Sequence, residues 1–233
     1  MFQKILEKVN SLECPLSAIS LVVFSNLLQA DVSELILKSN LLEIALNILS
    51  NSHNPLMLQR ASIFLGCASA RPTLANNLIE MKAIEFIINE LRQKGSSCYS
   101  RNLISILSSL CLKNEPAKDD IRNLGGIQTL INFLLTNDEE EILEVLRVLT
   151  NLSTKHFENK KCFRENGGIE VCLRLLKDFE NKKNVISATF QCLTIVAVED
   201  RKPRNFCSFF LSSFSADHIK IPSNFSLNTT LWT

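Results

Sequence analysis

The sequence predicts an all-α superhelical solenoid of about four to five stacked repeats. Three observations carry that expectation. A Gly-Gly pair followed by an apolar helix occurs twice, 42 residues apart. Two independent apolar registers run along the chain with the same period. Prolines fall where the helices of such repeats should begin. Composition agrees, since one Trp and one Tyr accompany fourteen Phe in 233 residues of which 46% are hydrophobic. That mix suits stacked amphipathic helices better than a β-sandwich and is enough for a sizeable core.

The first register runs through Leu41, Ile84, Ile127 and Ile169, spaced 43, 43 and 42 residues apart. In the repeat that opens at Ile127, apolar residues recur at Leu130, Ile131 and Leu134, which makes one helical stripe. The second runs through Phe24, Leu65, Leu107, Leu149 and Leu193 at intervals of 41, 42, 42 and 44. Together they divide residues 1–200 into approximate units 1–29, 30–70, 71–113, 114–155 and 156–200.

In the first unit, Pro15 precedes the apolar stretch Leu16 to Leu28 (LSAISLVVFSNLL). Thirteen residues at ~1.5 Å rise are too few to span a bilayer, and Glu7 and Glu13 interrupt a would-be leader, so a buried helix is expected. In the second, LLEIALNIL begins at Leu41 behind Asn40, a residue expected to turn the chain through positive φ, and Pro55 heads the next helix. In the third, Pro72 starts the first helix, and Lys82-Ala83 stands where glycines would bend the chain, which predicts a looser bend before AIEFIINEL. In the fourth, Pro116 starts a helix, GGIQTLINFLL follows from Gly125, and Asn137 is expected to cap the helix that opens with Glu139, Glu140 and Glu141. In the fifth, GGIEVCLRLL follows from Gly167.

From about Lys202 the pattern stops. Residues 201–233 are rich in Ser, Phe, Asn and Thr and supply no further Gly-Gly unit. We expect a poorly ordered tail, and the abrupt change of composition leads us to expect a fragment or variant product of a longer repeat protein. The sequons at Asn224 and Asn228 are expected to stay unmodified.

What the chain lacks argues against several function classes. A formal charge of +1 gives no field that draws it to nucleic acid or an anionic membrane. The eight cysteines form no CxxC pair, and most sit among apolar helical residues, as free thiols do in reducing compartments. His53, His156 and His218 are scattered, with no nucleophile motif near them, and His156 reads as a residue between helices. No enzyme activity, small-molecule substrate, cofactor, metal site or membrane insertion is expected.

The stretch IRNLGGIQTLINFLLTNDEEEILEVLRVLTNLS, from Ile121 to Ser153, resembles the armadillo repeat family, with HEAT-like repeats as a near neighbour. It follows that family's order of a short first helix, a Gly-Gly bend, a second helix and a long third helix ending in a Leu-Thr-Asn-Leu run. The resemblance implies a right-handed α-α superhelix, an armadillo-type solenoid, whose third helices line a concave groove where an Asn ladder holds an extended peptide. The ladder position is occupied here by Asn26, Cys67, Ser109, Asn151 and Ile195. One turn earlier stand Val22, Ile63, Ser105, Arg147 and Gln191, and a turn before that Ile19, Arg60, Asn102, Glu144 and Ala188. Arg60, Asn102, Glu144, Arg147, Asn151, Asn26 and Gln191 are therefore the candidates for partner contact.

The expected function is a protein-protein interaction scaffold or adaptor that binds a partner protein or extended peptide along that groove, as an assembly factor in the cytoplasm. Nuclear or ciliary and flagellar locations are the alternatives. A nuclear-transport-type peptide adaptor is the alternative within the class, and a helical-repeat nucleic-acid binder the alternative outside it.

Overall fold

The computed structural model describes residues 22, 33–95 and 97–197, and the elements within them are helices. Twelve of these, numbered here in chain order, fall into four triplets. The first is α1 (Ser33–Leu37), α2 (Leu41–Asn51) and α3 (Pro55–Ser69). The second is α4 (Pro72–Glu80), α5 (Ala83–Lys94) and α6 (Ser100–Cys111). The third is α7 (Glu115–Asn123), α8 (Gly126–Phe133) and α9 (Glu139–Ser153), and the fourth α10 (Phe157–Glu165), α11 (Gly168–Asp178) and α12 (Lys183–Ala197). The chain divides into two compact units, residues 1–129 and 130–233.

Helix starts follow the prolines. Pro55 and Pro72 are the first residues of α3 and α4, and Pro116 is the second of α7. The Asn54 side chain accepts from Leu56 N at 3.0 Å and that of Asn114 from Ala117 N at 3.1 Å, which satisfies amides that the first turn leaves without helical partners. Pro15 and the stretch Leu16 to Leu28, except the helical Val22, lie outside the described residues, as does the tail from 198 onward.

Three expectations about local geometry need correction. The bend before α5 is not looser: Lys82 adopts φ 58° and ψ 30°, matching Gly125 (φ 72°) and Gly167 (φ 73°) one repeat apart. Lys82 N donates to Ile79 O at 2.9 Å and Phe86 N to Lys82 O at 3.2 Å, so the same hydrogen-bonded turn forms at a residue that meets about 1–2 kcal/mol of left-handed strain. Asn40 does not take positive φ; it lies at −90°. The turn there is closed by Ser39, whose hydroxyl donates to Ile36 O at 2.7 Å and accepts from Leu41 N. Finally, Asp138 rather than Asn137 caps α9, its Oδ1 accepting from Glu140 N at 3.0 Å and Glu141 N at 3.2 Å. A carboxylate at the positive end of a helix is favoured twice, as acceptor and as charge.

The second glycine of each pair has a different task from the first. A Cβ at Gly126 would lie 2.7 Å from Ile121 Cγ2, and one at Gly168 would lie 2.5 Å from the Phe163 ring. The equivalent pair in the second triplet is Ala83 and Leu78, both buried. Short first helices thus seat their last apolar side chain against the start of the second helix, and the residue there must be small.

Within the first unit α3 packs on α2 and on α6, and within the second α9 packs on α12, with α11 also against α12. Leu65, Leu107, Leu149 and Leu193, the second register, are each 1% exposed or less. Leu41, Ile84 and Ile127 of the first register are buried too, while Ile169 is half-buried. None of the described helices is long and apolar enough to cross a membrane.

Candidate functional site

The last helix of each triplet carries one stripe that stays open to solvent. On α3 it comprises Arg60, Ile63 and Cys67; on α6, Asn102, Ser105 and Ser109; on α9, Glu144, Arg147 and Asn151; on α12, Ala188, Gln191 and Ile195. Spacings of three and four residues place each set on one face. All twelve residues are half-buried or exposed, whereas the adjoining Leu65, Leu107, Leu149 and Leu193 are core.

In the first unit a hydrogen bond ties the stripe to the core. Asn102 Nδ2 on α6 donates to Ser62 Oγ on α3 at 2.8 Å. Ser62 is fully buried and its hydroxyl also donates to Gln59 O at 2.8 Å. Arg60 sits half-buried two residues before Ser62. Ser109 donates back to Ser105 O at 3.2 Å, within its own helix. Burial pushes the Cys67 thiol above its ordinary pKa, against a smaller opposing pull from Arg71.

In the second unit Arg147 forks onto Glu144, with Nε at 3.1 Å from Oε2 and Nη2 on Oε1. The arginine side chain is 48% exposed and the glutamate 20%. Asn151 is half-buried one turn on, and Gln191 is exposed on α12. Lys182, just before α12, pairs with Glu139 of α9 at 2.9 Å. Asn26 lies outside the described residues. Arg60 and Asn102 thus fall in one unit, and Glu144, Arg147, Asn151 and Gln191 in the other.

Such a surface offers groups that an extended chain can use. Asn and Gln amides offer a donor and an acceptor together, which an extended backbone requires, and Arg60, Arg147 and Glu144 add charge of both signs. Among the described residues no group of three His, Cys, Asp or Glu side chains could hold a metal ion.

Sequence reasoning missed Ser62 because a serine inside an apolar run carries no periodic signal. It also left His156 as a residue between helices, whereas its Nδ1 accepts from Asn159 N at 3.3 Å and caps α10. A signal was present: His156 lies 42 residues after Asn114, the cap of α7. Asn159 is fully buried and donates to Leu152 O at 3.0 Å, fastening α10 to the end of α9.

No family model matches the sequence. Among curated proteins, the chain is 26% identical over 139 residues to the nucleotide exchange factor SIL1 of Xenopus laevis. That match covers 59% of this chain and 30% of SIL1, so this chain answers to under a third of that protein's length. Solved structures align over far more. A designed armadillo repeat protein, YIII(Dq.V1)4CPAF in complex with the peptide (KR)4, superposes with a TM-score of 0.77 at 15% identity, over 93% of this chain and 92% of that one. Computationally designed armadillo repeat proteins for modular peptide recognition give 0.76 at 16% identity, over 91% and 87%. A further designed protein, YIII(Dq)4CqI, gives 0.75 at 16% identity, over 85% and 83%. With four helix triplets, left-handed bends one repeat apart and these neighbours, the chain has the armadillo-type repeat fold, an all-α solenoid.

Proposed function

We propose that the chain is a protein-protein interaction scaffold that holds an extended segment of a partner along the third helices, as an assembly factor of the cytoplasm. One observation carries the reading: four successive third helices each leave three residues at the same register accessible to solvent beside the buried leucines of the second register. Arg60, Asn102, Glu144, Arg147, Asn151 and Gln191 are the contact residues of this reading, joined by Asn26. The designed neighbours support it, since one of them holds the peptide (KR)4. Armadillo-type solenoids are typically binding scaffolds without catalysis, and we assign this chain no reaction.

The test is affinity capture with quantitative mass spectrometry, comparing the natural chain with an Arg147→Glu, Asn151→Ala variant of the same thermal stability. Partners lost only from the variant would support recognition by the stripe. Identical partner lists would remove it.

The SIL1 similarity favours a second reading, in which the partner is a nucleotide-binding protein and the scaffold promotes nucleotide exchange. Partners captured in the first experiment answer this one as well: release of a labelled nucleotide from a captured partner should accelerate with added scaffold, and an unchanged rate would dismiss it.

A further inference from the structure

We infer that a pocket in the second unit, sharing no residue with the third-helix stripe, docks a short peptide segment that inserts one apolar side chain and carries a carboxylate and an ammonium beside it. The cavity measures about 270 Å³ and is framed by the turn after α8 and the C-terminal half of α11. Val171, Leu175 and Phe179 supply apolar lining, and Leu135 forms a lip that is 56% exposed. Arg174 and Asp178 stand on the rim, one helical turn apart.

Size argues for a side chain rather than a larger ligand, because drug-sized molecules occupy clefts of roughly 300–1,000 Å³. Rigidity argues for a formed site. Phe179 N donates to Leu175 O at 3.0 Å, Lys182 N to Phe179 O at 2.8 Å and Leu135 N to Asn132 O at 3.2 Å, so both walls are hydrogen-bonded turns. A preformed pocket spares its ligand the ordering cost that a flexible loop would impose.

The rim decides the chemistry. Among the described residues, neither Arg174 nor Asp178 makes a hydrogen bond or ion pair, not even with the other at the spacing where such pairs form. The pocket therefore presents one positive and one negative group around a lining that is apolar at Val171, Leu175 and Phe179 and polar at Thr136 and Asn137. A segment bearing one acid and one base near a leucine complements both, whereas a segment with two like charges meets one of them with repulsion.

The probe is acetyl-Glu-Leu-Lys-amide, whose blocked ends remove other charges, added to the full chain labelled at its methyl groups and followed by NMR. We expect saturable shifts at Leu135, Val171 and Leu175, no such shifts with acetyl-Glu-Asn-Lys-amide, and about twofold to fivefold weaker binding to Arg174→Glu, the range set by an exposed ion pair. An Arg147→Glu variant, which alters the stripe alone, should bind the probe unchanged. Absence of those shifts at the solubility limit, equal shifts with the asparagine peptide, or shifts confined to stripe residues such as Ile195 would each overturn the assignment.

Discussion

Asn102 Nδ2 lies 2.8 Å from Ser62 Oγ, so a residue on the open stripe of α6 fastens the buried face of α3. Under the proposed function, recognition and packing are therefore not separable at that position, in contrast to Gln191, which is exposed on α12. Any loss of binding on changing Asn102 has to be read beside its cost in stability.

That cost can be measured by a double-mutant cycle. Asn102→Ala and Ser62→Ala should each destabilise by about 1 kcal/mol, since each leaves the other group with a missing partner. The double variant should cost less than the sum by about 0.5–1.5 kcal/mol, because the second substitution removes a bond already lost. Denaturant midpoints of the four proteins give the coupling; strict additivity would mean that the bond contributes nothing.

Arg147 presents the opposite case. Its partner Glu144 sits on the same helix, the guanidinium is half exposed, and pairs of this kind contribute about 0.2–1 kcal/mol. Arg147→Ala should lower Tm by no more than about 2–4 °C in a chain of this size, as read by thermal unfolding. A larger fall would show that the arginine supports the fold, and the capture experiment would then need another variant.

At the bends, two substitutions should act in opposite directions. Gly168→Ala drives a Cβ to 2.5 Å from the Phe163 ring, a fully buried side chain that cannot retreat, and should cost roughly 1–3 kcal/mol. Lys82→Gly relieves a left-handed lysine and should stabilise the chain by about 0.5–1 kcal/mol after the extra freedom of glycine in the unfolded state is set against the strain. Thermal unfolding of both variants decides; a destabilised Lys82→Gly would mean that the lysine side chain makes up for its own strain.

The period of the repeat was legible because it is written in apolar residues that recur at fixed spacing, and every described member of the second register, from Leu65 to Leu193, is core. Exceptions arose where backbone hydrogen bonding outweighs residue preference. Lys82 takes the glycine conformation because the turn around it closes all the same, and Ser39 closes the turn expected of Asn40. One-residue placements such as Asp138 against Asn137 are decided by which side chain reaches two amides, a matter of ångströms that spacing cannot express. For the stripe, the face followed from the resemblance to armadillo repeats; that could not name Ser62, which lies on the other side of the helix.

Thiol chemistry separates buried from accessible repeats. Cys98 is exposed, whereas Cys172 is buried with its pKa raised well above the ordinary 9.0, by the Cys192 thiol beside it and then by burial. In the folded chain an electrophilic thiol reagent should modify the exposed Cys98 and spare the buried Cys172. A second consequence follows from the sign of the shift. Between 9.0 and the higher value in the fold, the native chain keeps a proton that the unfolded chain has lost, so this residue's contribution to stability is intact below 9.0 and declines above it. Cys172→Ala should lower Tm at neutral pH by removing a buried side chain, and the gap between variant and natural chain should narrow on the alkaline side. A gap that stays constant across the range would show that Cys172 titrates alike in both states.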